Sequence, residues 1–137
     1  LDRRPITLTL GGRRDFPQHF LVSATLAAEN GASAADTIGL FKELADARRG
    51  SGFSFNDIAA NRAGTRLGAL AVQSPDKLQA RLITGLAEQD FMPDVTDLPE
   101  FMAEPEFRHR FGGPGSPEYE RMVADIERRL GSTALFR

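Results

Sequence analysis

Residues 42–64, with the sequence KELADARRGSGFSFNDIAANRAG, contain the signals that decide the fold of this chain. A helix-forming segment ends there at the glycine turn of residues 50–52. Ser54 follows as the N-cap of a new helix, and Phe53 and Ile58 have the spacing of a hydrophobic staple. Because the link between the two helices is short, the segment predicts that they are antiparallel neighbours.

Helix-start signals of the same kind recur on both sides of this segment. Asp15 and Ser33 precede two earlier helices, and Ser74 and Ser116 precede two later ones. Between these signals, apolar residues recur at helical spacing, and a glycine ends most of the segments. The sequence therefore predicts long helices over residues 15–30, 33–49, 54–72, 74–89 and 116–130.

The predicted fold is all-α, a compact single-domain bundle of about five helices with an extended N-terminal arm. Residues 1–14 form the arm, because their alternating apolar residues have no second strand to pair with. Residues 15–72 form a three-helix core that carries a polar site, and residues 73–137 cover it. In this covering part, a short helix is expected to start at Asp97 and to be interrupted by Pro105.

The second and fourth helices each carry an apolar side, and that of the fourth is expected to point towards the core. The second helix presents one side made of Ile38, Phe41 and Leu44. The fourth helix presents a longer set at helical spacing, which consists of Leu78, Leu82, Ile83 and Leu86.

Composition excludes several classes of protein. The chain has no cysteine, which rules out disulfides, thiolate zinc sites and cysteine nucleophiles. A formal net charge of -2 provides no basic field for nucleic acid. No apolar run approaches the roughly 18 residues of a membrane span, so no transmembrane segment is predicted. The sequence begins with Leu1 rather than Met, which we interpret as a trimmed chain or a processed export product.

Each of the first three predicted helices brings polar groups to one face. The first carries His19 on an otherwise apolar face, the second carries Glu43 and Asp46, and the third carries Asp57 and Asn61. Glycines at positions 39, 64 and 68 lie on the same faces, although a helical glycine costs about 1 kcal/mol relative to alanine. We therefore expect the backbones to approach closely there and the polar side chains to converge.

An imidazole and several carboxylates at one point have two chemical uses. His19, Glu43, Asp46 and Asp57 offer the nitrogen and oxygen ligands of a divalent metal, although the sequence leaves the cofactor unknown. The same groups, oriented by Asn61, can act as general acids and bases if crowding separates the carboxylate pKa values. The alternative is structural: Asp57 interacts with the helix dipole, the other acids are solvated, and His19 is a core residue.

The residues of this centre also resemble a known family. Asp15 lies four residues before the pair His19-Phe20, and residues 42–46 read Lys-Glu-x-x-Asp. Residues 52–64 read Gly-Phe-Ser-x-x-Asp-x-x-x-Asn-x-x-Gly. Over residues 15–68 the pattern resembles the VanZ-like family and its small bacterial lipoprotein relatives. The resemblance implies an envelope protein with a polar centre made of His19, Glu43, Asp46, Asp57 and Asn61.

Two functions from different classes follow from these observations. The preferred one is a bacterial, envelope-associated helical domain that acts as a protein-interaction or structural module, with a protein partner and a buried polar network. The alternative is a metal-dependent or acid/base hydrolase-type enzyme that uses the cluster of the first three helices. The expected location is the periplasm or the cell envelope, and otherwise the cytoplasm.

Overall fold

The computed structural model describes residues 4–137, and this part of the chain is helical with two isolated β-bridges and no β-strand. A single 3-10 turn, Glu88–Asp90, precedes the fifth helix. The all-α prediction is therefore confirmed. The six α-helices are α1 (Phe16–Asn30), α2 (Ala32–Arg49), α3 (Phe55–Gln73), α4 (Pro75–Thr84), α5 (Glu104–Phe111) and α6 (Pro117–Ser132).

Helix α3 lies at the centre of the fold, with 11 of its 19 residues buried. Its closest neighbour is α1. A Cβ atom on Gly64 would lie 2.0 Å from the carbonyl oxygen of Phe20, and one on Gly68 would lie 2.1 Å from that of Ala24. Only glycine permits this approach of two backbones. The close approach expected from the helical glycines therefore occurs, and at these two positions it is between α3 and α1.

Helix α2 turns its small and polar face towards α3. On the apolar side predicted for this helix, Ile38 and Phe41 are 49% and 67% exposed, whereas Leu44 packs partly buried against the core. Small residues let α2 approach α3 more closely than a row of large side chains would. The buried residues of α2 are Ala35, Gly39, Glu43 and Ala47.

An aromatic cluster joins α3 to α5 and α6. The rings of Phe53 and Phe107 stack with their centroids 4.0 Å apart, and Phe55 packs against both Phe111 and Tyr119. Phe53 also forms two backbone hydrogen bonds with Met102, at 2.7 and 3.0 Å, which fix the segment before α5. The start of α3 is thereby held between the polar site on one side and the aromatic cluster on the other.

Helix α4 is shorter and more exposed than the sequence predicts. It ends at Thr84 instead of residue 89, because Gly85 takes a positive φ of 94°. None of its residues is buried, and Leu82 and Ile83 are 58% and 86% exposed, so the predicted inward face of this helix is wrong. In the described part of the chain, no helix has the length and apolar character needed to cross a membrane.

The segment before α5 also differs from the prediction. No helix starts at Asp97, whose carboxylate instead receives two hydrogen bonds from the guanidinium of Arg129 on α6, at 2.6 and 2.7 Å. Pro105 does not interrupt a helix but lies in the first turn of α5, where its missing N–H has no intrahelical acceptor to lose. Helix α6 continues through Gly131 to Ser132.

The N-terminal arm is extended over its described residues, 4–14, apart from a turn at its end. The predicted arm also includes residues 1–3, which lie outside the described residues. Leu10 is buried, whereas Ile6 and Leu8 are exposed. A tight turn pairs the backbone of Leu10 with that of Arg13 and delivers the chain to the start of α1.

Candidate functional site

The imidazole of His19 lies between two side chains of α3. Its Nδ1 is 3.1 Å from Oδ1 of Asn61, and its Nε2 is 3.6 Å from Oδ2 of Asp57. Asp57 and Asn61 are four residues apart, so they lie on one face of α3. This face meets α1 because the two glycines that follow on α3 remove the side chains that would separate the helices. The structure thus brings together three of the residues predicted for the site.

The carboxyl group of Asp57 is poorly solvated. The residue is 8% exposed, and its Oδ1 has no hydrogen-bond partner among residues 4–137. Burial raises the pKa of Asp57, and the charge of His19 offsets only part of this effect. A buried carboxylate with an unused oxygen is unfavourable unless a proton or a cation accompanies it.

Asp15 completes a group of three potential ligands. One oxygen of Asp15, one of Asp57 and a ring nitrogen of His19 lie within 4.8 Å of one another. The sequence predicts Asp15 as the side-chain cap of α1, but within the described residues its side chain makes no capping hydrogen bond. It pairs instead with the guanidinium of Arg13, at 2.7 and 3.0 Å. This pairing lowers the pKa of Asp15 and keeps its carboxylate charged.

Glu43 lies fully buried beside this group, between α2 and the start of α3. Its Oε2 accepts a hydrogen bond from the backbone N–H of Ser54, at 3.1 Å. Its Oε1 finds no partner in the described part of the chain. Burial, and then the charge of Asp57, raise the pKa of Glu43 to about 8. The side chain is therefore mostly protonated and neutral at pH 7.

Asp46 occupies a different position from the other predicted site residues. Its Oδ2 accepts a hydrogen bond from Nζ of Lys42 at 2.8 Å, near the protein surface. Asp46 and Glu43 are not members of the group whose ligand atoms lie within 4.8 Å. Of the residues predicted as metal ligands, the structure therefore brings His19 and Asp57 together and places Glu43 and Asp46 to one side.

A groove between α1 and α2 opens next to His19. It has a volume of about 160 Å³, and its polar lining includes His19, Ser23 and Asn61. Asn61 is 5% exposed, and its Nδ2 lacks an acceptor within residues 4–137. A Cβ on Gly39 would approach this nitrogen to 2.9 Å, so the glycine leaves the space that the amide occupies.

Sequence reasoning missed the part of the site that Asp15 contributes as a potential ligand. A signal existed, because Asp15 and His19 have the i, i+4 spacing that places two side chains on one helix face. The role of Arg13 had no such signal, since it links Asp15 to Glu100, which lies 87 residues from Arg13 in the sequence. Only the folded chain brings these two acids to one guanidinium.

Comparison of the chain with protein-family models, with curated proteins and with solved structures gave no match.

Proposed function

We propose that this domain binds a divalent metal ion through Asp15, His19 and Asp57. The observation that carries the proposal is the grouping of three ligand atoms within 4.8 Å, one of them on a buried carboxyl group with an unpartnered oxygen. Carboxylate and imidazole ligands together suit first-row divalent ions, and zinc in particular. We expect Zn²⁺ or Co²⁺ to bind more tightly than Mg²⁺, because Mg²⁺ prefers ligands that are all oxygen.

The hydrogen bond to Asn61 supports a ligand role for His19. A carboxamide oxygen 3.1 Å from Nδ1 accepts the proton of that nitrogen, which leaves the lone pair of Nε2 directed to the other side of the ring. This lone pair then faces a carboxylate oxygen of Asp57, and the two repel each other unless a positive charge lies between them. Metal-bound histidines typically donate their second ring N–H to such an acceptor.

The distance between Nε2 and Asp57 also suits one shared ion. With metal–ligand bonds of about 2.1 Å, two ligand atoms 3.6 Å apart subtend an angle of about 120° at the metal. That angle is close to tetrahedral. Asp15 remains able to act as the third ligand although Arg13 binds both of its oxygens, because a carboxylate has about four lone-pair positions and the guanidinium uses two.

The hydrolase-type alternative stays a prediction, and in it Glu43, which is fully buried in this structure, would serve as the acid. A carboxylic acid with a pKa of about 8 holds a proton at neutral pH and can act as a general acid. The charge of Asp57 contributes to that pKa, so a metal bound at Asp57 would lower it. The envelope location and bacterial origin implied by the family resemblance remain predictions, and the metal site does not depend on them.

The proposal is tested by metal titration of the tag-free protein after chelation and dialysis. At a metal concentration one hundred times Kd, ligand binding adds about 2.7 kcal/mol to stability. For a chain of 137 residues this corresponds to an increase in Tm of about 9 °C. We expect this increase with Zn²⁺, together with one equivalent of bound metal by elemental analysis.

Two matched pairs of variants provide the controls. His19→Ala should abolish the increase, whereas His109→Ala, which removes the other histidine of the chain from the exposed side of α5, should retain it. Asp57→Asn should likewise abolish it, whereas Asp76→Asn should not, although both aspartates lie in the first turn of a helix. Metal binding that survives both site variants would refute the proposal.

The second candidate function is the structural or protein-interaction module, and a specific contact favours it. The hydrogen bond from Ser54 to Glu43 ties α2 to the start of α3 and can be the main role of the buried acid. On this hypothesis Asp57→Asn lowers Tm equally with and without Zn²⁺, and the wild-type protein binds no metal. The same titration therefore separates the two candidates.

A further inference from the structure

We propose that the groove between α1 and α2 is a binding site for a short aliphatic carboxylate, a fatty acid of about four to six carbons. The inference goes beyond the metal centre and requires no bound metal, although His19 and Asn61 border both the groove and that centre. It rests on three features of the groove: an unpartnered donor in its floor, a cation at its rim and apolar walls.

The floor provides the unpartnered donor. Asn61 lines the groove and is 5% exposed, and the part of the chain described here offers no acceptor to its Nδ2. A buried amide donor without an acceptor is destabilising. Gly39 also lines the groove, and a Cβ there would lie 2.9 Å from this nitrogen, so the absence of the side chain leaves the amide space at the α2 side of the groove. A ligand with an acceptor oxygen would satisfy the donor.

The rim provides a cation, which favours a charged acceptor over a neutral one. Lys42 lines the groove with its side chain 56% exposed, and Asp46 accepts from its ammonium group. That group has three donors, so others remain for a ligand. The acids nearby do not oppose an anion strongly, because burial raises the pKa values of both Glu43 and Asp57 and so favours their neutral forms.

The walls provide an apolar surface of limited length. Val22 and Ile38 are 51% and 49% exposed and face the groove together with Leu26. The volume of about 160 Å³ equals that of about five liquid waters, at ~30 Å³ each, which is room for a carboxylate and a short chain. These exposed residues of α1 and α2 would bury their apolar surface against such a chain.

The test is a titration of metal-free protein with propionate, butyrate, hexanoate and octanoate, followed by NMR chemical shifts. We expect affinity to increase about fourfold for each added methylene and to level off near hexanoate, with shifts at the groove residues. Hexylammonium, which has the same chain and the opposite charge, should bind at least tenfold more weakly. Equal affinity for all four acids, or tighter binding of hexylammonium, would overturn the proposal.

Matched variants locate the site. Asn61→Asp removes the donor and should weaken hexanoate binding by about tenfold to one hundredfold, whereas Asn30→Asp makes the same charge change at the exposed end of α1 and should have little effect. Lys42→Gln should weaken binding at least threefold, and Lys77→Gln on α4 should not.

Val22→Phe gives a third readout that leaves the polar floor intact. The larger ring should fill the groove and shorten the preferred acid. Val72→Phe, at another exposed valine on α3, should leave the chain-length preference unchanged. If Lys42→Gln and Val22→Phe bind hexanoate like the wild-type protein, the groove is not the site. Because no metal is present in these titrations, a failure of metal binding leaves their outcome unaffected.

Discussion

Glu43→Gln should change how the stability of this protein depends on pH. Glutamine has the shape of the protonated acid and keeps an oxygen for the N–H of Ser54, so the buried contact at 3.1 Å is preserved. What the variant removes is the titration of a fully buried carboxyl group. The comparison therefore isolates the effect of burying an acid whose charge is removed from water and only partly offset by Lys42.

The size of this change in stability follows from the pKa values of Glu43 in the unfolded and the folded protein. Burial and the charge of Asp57 raise the pKa from 4.5 to about 8 in the folded protein. Below pH 4.5 both the folded and the unfolded chain are protonated, so the group adds no pH dependence. Between pH 4.5 and pH 8 only the folded chain keeps the proton, and stability falls with pH. At about 1.36 kcal/mol per pH unit, the full loss approaches ~5 kcal/mol.

Urea unfolding of the metal-free wild-type and Glu43→Gln proteins at several pH values between 4.5 and 8.5 measures this loss. Other titrating groups act on both proteins, so the difference between their free energies of unfolding reports Glu43. We expect this difference to shift by about 3–5 kcal/mol in favour of the variant as pH rises. Glu29→Gln, at an exposed glutamate of α1, should run parallel to the wild-type protein. A difference that stays constant within about 1 kcal/mol would refute the reasoning.

Two further substitutions test the packing that positions the site. Gly64→Ala should destabilise the protein by about 3 kcal/mol or more and lower Tm, because the new Cβ would lie 2.0 Å from the carbonyl oxygen of Phe20. Its control is Gly131→Ala, where a Cβ would have no neighbouring atom closer than 3.8 Å. This control should be neutral or should stabilise the protein by up to about 1 kcal/mol. Phe53→Ala should lower the free energy of unfolding, measured in urea, by about 3–5 kcal/mol, because the ring is fully buried. Its control, Phe41→Ala, changes a position that is 67% exposed and should alter this free energy by about 0.5 kcal/mol or less. Equal effects within either pair would contradict the packing described.

Local signals were sufficient for the helices of the first half of the chain. Gly31 ends α1, and the glycine turn at residues 50–52 separates α2 from α3, both as the sequence predicts. These boundaries depend on the conformation of a few neighbouring residues, so they can be predicted from the sequence. The predicted length of α4 is too great, because Gly85, with its positive φ, ends a helix that apolar spacing alone would continue.

The direction in which each helix faces was harder to predict. Apolar spacing marks the side of α2 that carries Phe41, but the side that the fold buries carries Gly39 and Glu43. Hydrophobic patterning assumes that the more apolar face is the buried one. Here a small face packs more closely against α3 and places one acid where it accepts the N–H of Ser54. Phe41 is exposed because a different side of α2 packs against α3.

The sequence by itself determined that the chain is helical, where its first three helices begin and end, and that Asp57 and Asn61 share one face of the third helix, because helical spacing and helix-end signals are local properties. The tertiary structure decided that α3 meets α1 through Gly64 and Gly68, that Asp15 joins the centre, and that Asp46 stays with Lys42 at the surface. Those outcomes depend on distances between residues far apart in the chain, which no local pattern encodes.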